Sequence, residues 1–363
     1  MGRTFDGVLK DAGGVTTGFD YLRLGLSLYV LCAHCLSIPH SPASALLWDS
    51  AFGPIHRSVL PMFFALSGFL VAASYARNTT TRFVLLRALR IVPALAVETT
   101  LCALVIGITF TTLPLSNYFQ SSEFYAYFLN IVGDPHYTLP GVFNGLAINT
   151  QLWTLPYEFE CYASLVLLSL LRLSGRRDLI LVLVLSVCAV MTAAAVSRDL
   201  IENGPAAPHT VFALSFLGGV ILFMYRDKIP LRLDLFLACA AASYVLLGVK
   251  NLAFLSPLPV AYVTAYIGLQ RWPKPPIGDV SYGIYLFHSP LLCCIYWLSG
   301  QSASPLTLFL LGLPASLAFA SLSWSLVESP LLRRKSAIVG GAERFFGRIS
   351  SGLTPPRTRK TPA

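Results

Sequence analysis

Apolar residues run along this chain in long blocks separated by short polar or basic stretches. Ten blocks are of bilayer-spanning length: 19–38, 58–76, 89–113, 153–171, 179–197, 209–226, 231–249, 252–270, 280–298 and 304–327. The pattern predicts an all-α, polytopic membrane protein of about ten transmembrane helices. It reads as one membrane domain, residues 19–330, after a cytoplasmic amino-terminal segment, residues 1–18. A basic cytoplasmic tail, residues 331–363, is expected to be disordered or to lie on anionic lipid. The stretch Tyr118 to Val132 is short and interrupted by Glu123, so it is expected to be re-entrant or interfacial rather than spanning. Residues 114–152 then form the one long external connection, a candidate lid, since long connections in compact folds are often functional.

Charge orients this pattern. Threading the blocks alternately from a cytoplasmic amino terminus puts 22 of the 26 Lys and Arg residues inside. Only Arg57, Arg198 and Lys250 fall outside, and Arg23 lies within the first block. The positive-inside rule therefore places both termini in the cytoplasm. No cleavable signal peptide is expected, because the first block is long, charged within and followed by further spans. Composition agrees: 55% of residues are hydrophobic, 12% are charged, and the mean hydropathy is +0.67. A net charge of +9 could suggest nucleic acid, but the charges sit in short loops and act as topology signals, so no nucleic-acid partner is expected. The eight cysteines lie in or beside apolar blocks and read as small hydrophobes. Cys32 and Cys35 flank His34 as a CxxC, but no second ligand cluster accompanies them, so no metal is expected.

Ionisable groups inside hydrocarbon are costly and usually face a bundle interior or a wet cavity. Arg23 and His34 are eleven residues apart, which is three helical turns, so both project from one face roughly 16 Å apart along the axis. His34 falls in the outer half of the bilayer. Glu158 lies at a similar depth, entering from outside on a helix announced by Trp153-Thr154-Leu155-Pro156. A carboxylate that orients an imidazole and stabilises its cation makes histidine a general base. His34, Glu158 and Arg23 are accordingly the candidate catalytic residues. Glu160, about 200° further round the helix, is a rim carboxylate.

Arg87 and Arg90 share a helix face, and paired guanidinium groups suit bidentate phosphate recognition; an ordinary positive-inside anchor is the alternative. In Ser67-Gly68-Phe69 the glycine permits close helix approach, and Ser67 would need a neighbouring base to be a nucleophile. Ser67, His288, Trp153 and Glu98 are candidate cavity-lining residues, with His288 either facing the cavity or a satisfied core histidine. Glu98, mid-span, and Glu328, at the inner end of the last block, are expected to pair with interior arginines. His40, His56, His136 and His209 lie in external regions and carry no argument.

Six motifs occur in one order along the chain. They are Arg23 with ten residues then His34, Phe64-Ala65-Leu66-Ser67-Gly68-Phe69, Arg87-Ala88-Leu89-Arg90, Trp153 to Phe159, Ser281 to Pro290, and Val327-Glu328-Ser329-Pro330. In this register the chain resembles membrane-bound acyltransferase family 3, the O-acetyltransferases that modify O-antigen, exopolysaccharides and Nod factors. The resemblance implies ten membrane helices in the inner (cytoplasmic) membrane and a cytoplasmic acyl-CoA donor, acetyl-CoA first of all. It implies a sugar hydroxyl on a cell-surface or lipid-linked saccharide as acceptor. It also implies that Arg23, His34, Arg87, Arg90 and Glu158 are the functional positions, with no permanently bound cofactor. Partners would be membrane lipid, the donor, the saccharide and polysaccharide-assembly proteins. The extra helix and soluble hydrolase-like domain of some relatives are missing from the pattern. A secondary transporter using Arg23, His34 and Glu158 as a relay is the alternative from another class, although no internal repeat supports it.

Overall fold

The computed structural model describes residues 3–39, 41–173, 175–198, 209–249, 251–276 and 278–352. His40, Lys250 and the Pro355-Pro356 part of the tail lie outside the described residues. Each of the ten predicted blocks is helical: α1 (Gly18–Ser37), α2 (Gly53–Tyr75), α3 (Thr80–Leu101), α4 (Leu155–Leu170), α5 (Arg177–Arg198), α6 (His209–Met224), α7 (Leu233–Gly248), α8 (Pro257–Gly268), α9 (Ser281–Leu298) and α10 (Pro305–Ser323). Among the described residues β-structure is confined to two isolated bridges. The chain is an all-α, multi-pass membrane protein. Five helical runs among the described residues are long and apolar enough to cross a bilayer by themselves: Gly18–Ser37, Gly53–Tyr75, Thr80–Phe110, Arg177–Ser197 and Pro305–Arg333. α6 and α7 are shorter apolar helices.

Helix ends follow local chemistry. α3 starts nine residues before its apolar block because Thr79 caps it, its hydroxyl accepting from the Arg82 backbone N–H at 3.2 Å. Arg82 therefore rides on the same helix as Arg87 and Arg90. Ser304 caps α10 in the same way, with Pro305 at the first helical position. α3 continues through a π-helical turn at Cys102–Ile106 to Phe110, and α10 through another at Trp324–Glu328.

The predicted cytoplasmic segments meet one another at one end of the bundle. Asp6 of a short amino-terminal helix, Phe5–Asp11, pairs with Arg226 at 3.1 Å, and Arg271 donates to the Val8 carbonyl at 3.0 Å. The predicted external segments meet at the other end, where Arg57 donates to the carbonyls of Trp48 and Leu247. The region from Tyr118 to Val132 lies in short pieces: two one-turn-and-a-half helices, Leu115–Gln120 and Ser122–Tyr127, and a 3-10 turn, Phe128–Val132. Buried Tyr118 and Tyr127 pack it against Cys102, Phe143 and Cys293, and the Tyr118 hydroxyl donates to the Ala103 carbonyl at 2.7 Å. In the tail, expected to be disordered or to lie on anionic lipid, Lys335–Gly352 is helical and docks on the start of α3, Glu343 pairing with Arg82 at 3.3 Å.

α2 and α6 make the most extensive helix pairing, with α8 packed against both. Their closeness depends on two glycines. A Cβ on Gly68 would lie 2.0 Å from the Phe216 carbonyl oxygen, and one on Gly219 would lie 2.1 Å from that of Ala65. Neither backbone can give way, so the helices would have to separate. Gly68→Ala and Gly219→Ala should each cost about 1–3 kcal/mol, seen as a lower unfolding midpoint of the detergent-purified protein. Gly25→Ala, whose Cβ meets open space, should not lower it.

Candidate active site

Among the described residues, two of the cavities along the bundle hold the candidate residues. The inner one is lined by Arg23, Ser67, Arg87, Arg90, Glu158 and Tyr162, with an apolar wall that includes Phe63, Phe64 and Ile91. The outer one is lined by His34, Trp48, His56, Arg57, Gln151 and Trp153. Leu60 and Tyr285 border both cavities. Arg23 and His34, on one face of α1, thus open into different chambers.

The inner chamber is organised by a knot of charges. Arg90 on α3 donates to Asp279 at 2.7 Å and to Glu328 at 2.8 Å, with the rings of Tyr282 and Trp324 within 6 Å of its guanidinium carbon. Arg23 on α1 contacts the same Asp279 oxygen at 3.5 Å and bonds to Asp20 at 2.5 Å. Burial alone would raise the Asp279 carboxyl, but the Arg90 and Arg23 charges outweigh it and hold the group below the ordinary carboxylate range. Ser281, the first residue of α9, adds a hydrogen bond to Asp279 at 2.8 Å. Glu328 thus has its expected arginine.

Arg87, one turn before Arg90, differs. Among the described residues it has no ion pair, its Nε is buried without a partner, and it faces the cavity. The two arginines that read from the sequence as a matched clamp are therefore unequal, one saturated by carboxylates and one available. Glu158 sits in the same chamber, where the Tyr162 hydroxyl donates to it. Ser67 lines this chamber too.

In the outer chamber His34 is paired, but not with Glu158. His34 Nδ1 lies 2.8 Å from Nε2 of His288, whose side chain is fully buried. Spacing placed Glu158 at the level of His34, but Glu158 lines the inner chamber and His34 the outer one; the neighbour of His34 is decided by which helices touch, and α1 packs on α9. Helix α9 is itself pinned. Pro290 has no N–H to give the Leu286 carbonyl, and Gln151 Nε2 fills that place at 2.7 Å. The Ser289 hydroxyl donates to the Ile148 carbonyl at 2.7 Å, and the Tyr285 hydroxyl donates to the Gln151 carbonyl at 3.1 Å. Gln151 and Trp153 bring the end of the long external connection to the chamber wall, while its earlier part packs as a plug.

Glu98 departs from expectation. It is fully buried but lines neither cavity, and its partners are Cys102 at 3.3 Å and Thr99 at 3.5 Å instead of an arginine. Eight residues beyond Arg90 on one helix, it stands about 12 Å from the charge knot. Asp279, Tyr285, Gln151 and His56 were not singled out by sequence reasoning. Asp279, an acid directly before an apolar helix, left a signal of the helix-start kind. His56 left none: read as external from the sequence, it lies in the first turn of α2, where it contacts Tyr29 at 3.2 Å and packs on the Trp48 ring, centroids 4.2 Å apart. Among the described residues no three His, Cys, Asp or Glu side chains group as metal ligands would.

Comparison with known proteins follows this geometry. A family model described as an acyltransferase domain matches residues 16–325. The chain is 25% identical over 329 residues to the O-acetyl transferase of Shigella phage Sf6, covering 88% of this chain and 96% of that one. It is 24% identical over 365 residues to Nodulation protein 10 of Rhizobium leguminosarum bv. viciae, covering 91% of this chain and 97% of that one. No solved structure matches.

Removing the shared carboxylate with Asp279→Asn leaves Arg23 and Arg90 short of counter-charge and should cost roughly 2–3 kcal/mol. Because the folded carboxyl titrates below its ordinary 3.8, this stabilisation is complete above 3.8 and is lost as pH falls through the lower folded value. The gap in unfolding midpoint between wild type and Asp279→Asn should stay constant from about pH 7 to about pH 5 and close only in stronger acid. A gap that closes within the first interval would assign the effect to another group.

Proposed function

The chain belongs to the acyltransferase domain family and is a membrane acyltransferase; from that premise we propose that it moves an acetyl group from cytoplasmic acetyl-CoA to a saccharide hydroxyl. The observation that carries this reading is the pair of chambers meeting at Leu60 and Tyr285, with a free guanidinium in one and an imidazole in the other. Coenzyme A is too polar to cross a bilayer, so its phosphates stay at the inner end, on Arg87. Arg90, saturated by Asp279 and Glu328, holds the helix register that presents Arg87. Arg23, whose Nε is buried and unpartnered, steadies the donor deeper in the chamber, and Glu158 and Tyr162 position Arg87 from the opposite wall. The thin pantetheine arm carries the thioester toward the junction at Tyr285.

The acceptor occupies the outer chamber, whose Trp48 and Trp153 rings suit the apolar faces of a sugar. His34 takes the proton of the acceptor hydroxyl as its oxygen attacks the thioester carbonyl carbon. The carbon–sulfur bond of the tetrahedral intermediate then breaks, and the thiolate takes the proton back from His34. Ester and free thiol are the products, and the imidazole is regenerated. The relative named an O-acetyl transferase supports both the acetyl group and the oxygen acceptor. The enzyme would work in the cytoplasmic membrane through its domain at 19–330, with its basic tail helix at the inner surface.

Mass spectrometry of surface glycans from cells carrying wild type, His34→Ala or no chain tests this. One acetyl increment should appear with wild type alone, and an equal increment with His34→Ala would remove His34 from the reaction. With purified protein, Arg87→Ala should raise KM for acetyl-CoA at least tenfold while kcat changes little, since it removes binding shared by ground and transition states.

A further inference from the structure

We infer that His288 is a positioning residue that locks His34 in the tautomer whose free nitrogen is Nε2, so that Nε2 is the base. This rests on the acyl-transfer reading above. The argument begins at the far side of His288. Its Nδ1 lies 3.1 Å from the Ile284 carbonyl oxygen and 2.9 Å from that of Tyr285. Carbonyl oxygens only accept, so Nδ1 of His288 must carry a hydrogen. The ring is fully buried, and the only histidine–carboxylate contact among the described residues is His136 with Asp134, elsewhere in the protein. A cation at His288 would be desolvated with no counter-charge, so the ring is held neutral. A neutral imidazole with hydrogen on Nδ1 has a lone pair on Nε2.

That lone pair faces Nδ1 of His34 at 2.8 Å. Two lone pairs cannot share such a contact, so the hydrogen between the rings belongs to His34 Nδ1. The remaining nitrogen of His34, Nε2, is left unprotonated and able to take a proton. The direction of the chain, from His34 Nδ1–H to His288 Nε2 and from His288 Nδ1–H to the α9 carbonyls, is thus set by backbone oxygens that cannot change role. During the reaction the acceptor proton moves to His34 Nε2 and later to the leaving thiolate. The hydrogen on Nδ1 stays, and its bond to His288 strengthens while His34 is a cation, because a charged donor binds an acceptor more tightly. No proton passes to His288. A neutral imidazole thereby fills the orienting place that a carboxylate takes in a Ser-His-Asp arrangement, and no buried charge is needed.

The rigidity of α9 belongs to the same device. His288 is bracketed by Tyr285 and Ser289, both tied to the external connection, and Gln151 completes the helix next to Pro290. The ring planes of His34 and His288 are 31° apart with centroids at 4.8 Å, a geometry that only a fixed helix pair keeps.

Two amide substitutions separate positioning from structure. His288→Asn puts an amide where Nδ1 was, so it can still donate to the helix carbonyls but cannot reach His34. His288→Gln puts a carbonyl where Nε2 was and can accept from His34. Full-length protein in lipid nanodiscs is assayed with radiolabelled acetyl-CoA and base-deacetylated surface glycan of the expressing cells. His288→Asn should lower kcat at least tenfold, with KM for acetyl-CoA, CoA binding and unfolding midpoint near wild type. His288→Gln should retain at least tenfold more kcat than His288→Asn. Equal kcat for the two variants, or His288→Asn at the wild-type rate, overturns the assignment.

Nitrogen-15 NMR of histidine-labelled wild type, assigned by difference with His34→Ala, reads the tautomer without relying on the folding of any His288 variant. A protonated Nδ1 and bare Nε2 on His34 are expected, and the reverse refutes the proposal. If wild type transfers no acetyl group, or His34→Ala transfers it equally well, the acyl-transfer reading is what fails. That result is visible in those two proteins before any His288 variant is compared.

Discussion

Arg90 ties together the inner half of the molecule. Its guanidinium joins α3 to Asp279 at the entry to α9 and to Glu328 at the end of α10, and Asp279 extends the link to Arg23 on α1. Charges removed from water are tolerated only when their hydrogen-bonding capacity is nearly filled. Arg90 meets that condition with two carboxylates and two aromatic rings. Four helices that touch lipid on one side are thereby fixed in register on the other. This knot consumes Asp279 and Glu328, and among the described residues Arg87 has no ion pair, with Glu158 the carboxylate that shares its chamber.

The outer half is held differently, by neutral hydrogen bonds. Pro290 opens a backbone vacancy in α9, Gln151 fills it, and the external connection is drawn onto the helix that carries His288. Backbone polar groups in a membrane must find a partner inside the protein, so a proline there dictates a contact as firmly as an ion pair does. The two halves meet at Leu60 and Tyr285, which border both chambers. α2 packs closely on α6 at Gly68 and Gly219.

Much of the fold was legible along the chain, and for a physical reason. A bilayer imposes length and apolarity on every span and charge asymmetry on the loops, so block positions, the short structure of Tyr118 to Val132 and the grouping of the basic loops could be read directly. The pairing of Glu328 with an arginine was legible because an acid at the inner end of a span meets a basic collar there. The same logic failed for Glu98, which lies beyond the reach of that collar and is satisfied by Thr99 and Cys102 along its own helix. In the tail, Lys335–Gly352 is helical and docks on α3, a contact that composition does not report.

For the site, the sequence by itself determined residue type and spacing along each helix, whereas the level of Glu158 against His34 was misread, because the two line different chambers. Arg23 and His34 share one face at two levels because helical rise and periodicity are invariant, and Arg87 and Arg90 lie on one face for the same reason. Lateral neighbours were decided only by tertiary structure. His34 meets His288 instead of Glu158, Arg90 is saturated while Arg87 is free, and His56 and Gln151 line a chamber that no local pattern announces. Rise along a helix is a property of one chain segment. Which face meets which depends on the packing of α1 on α9 and α2 on α6, and hence on side chains far apart in sequence.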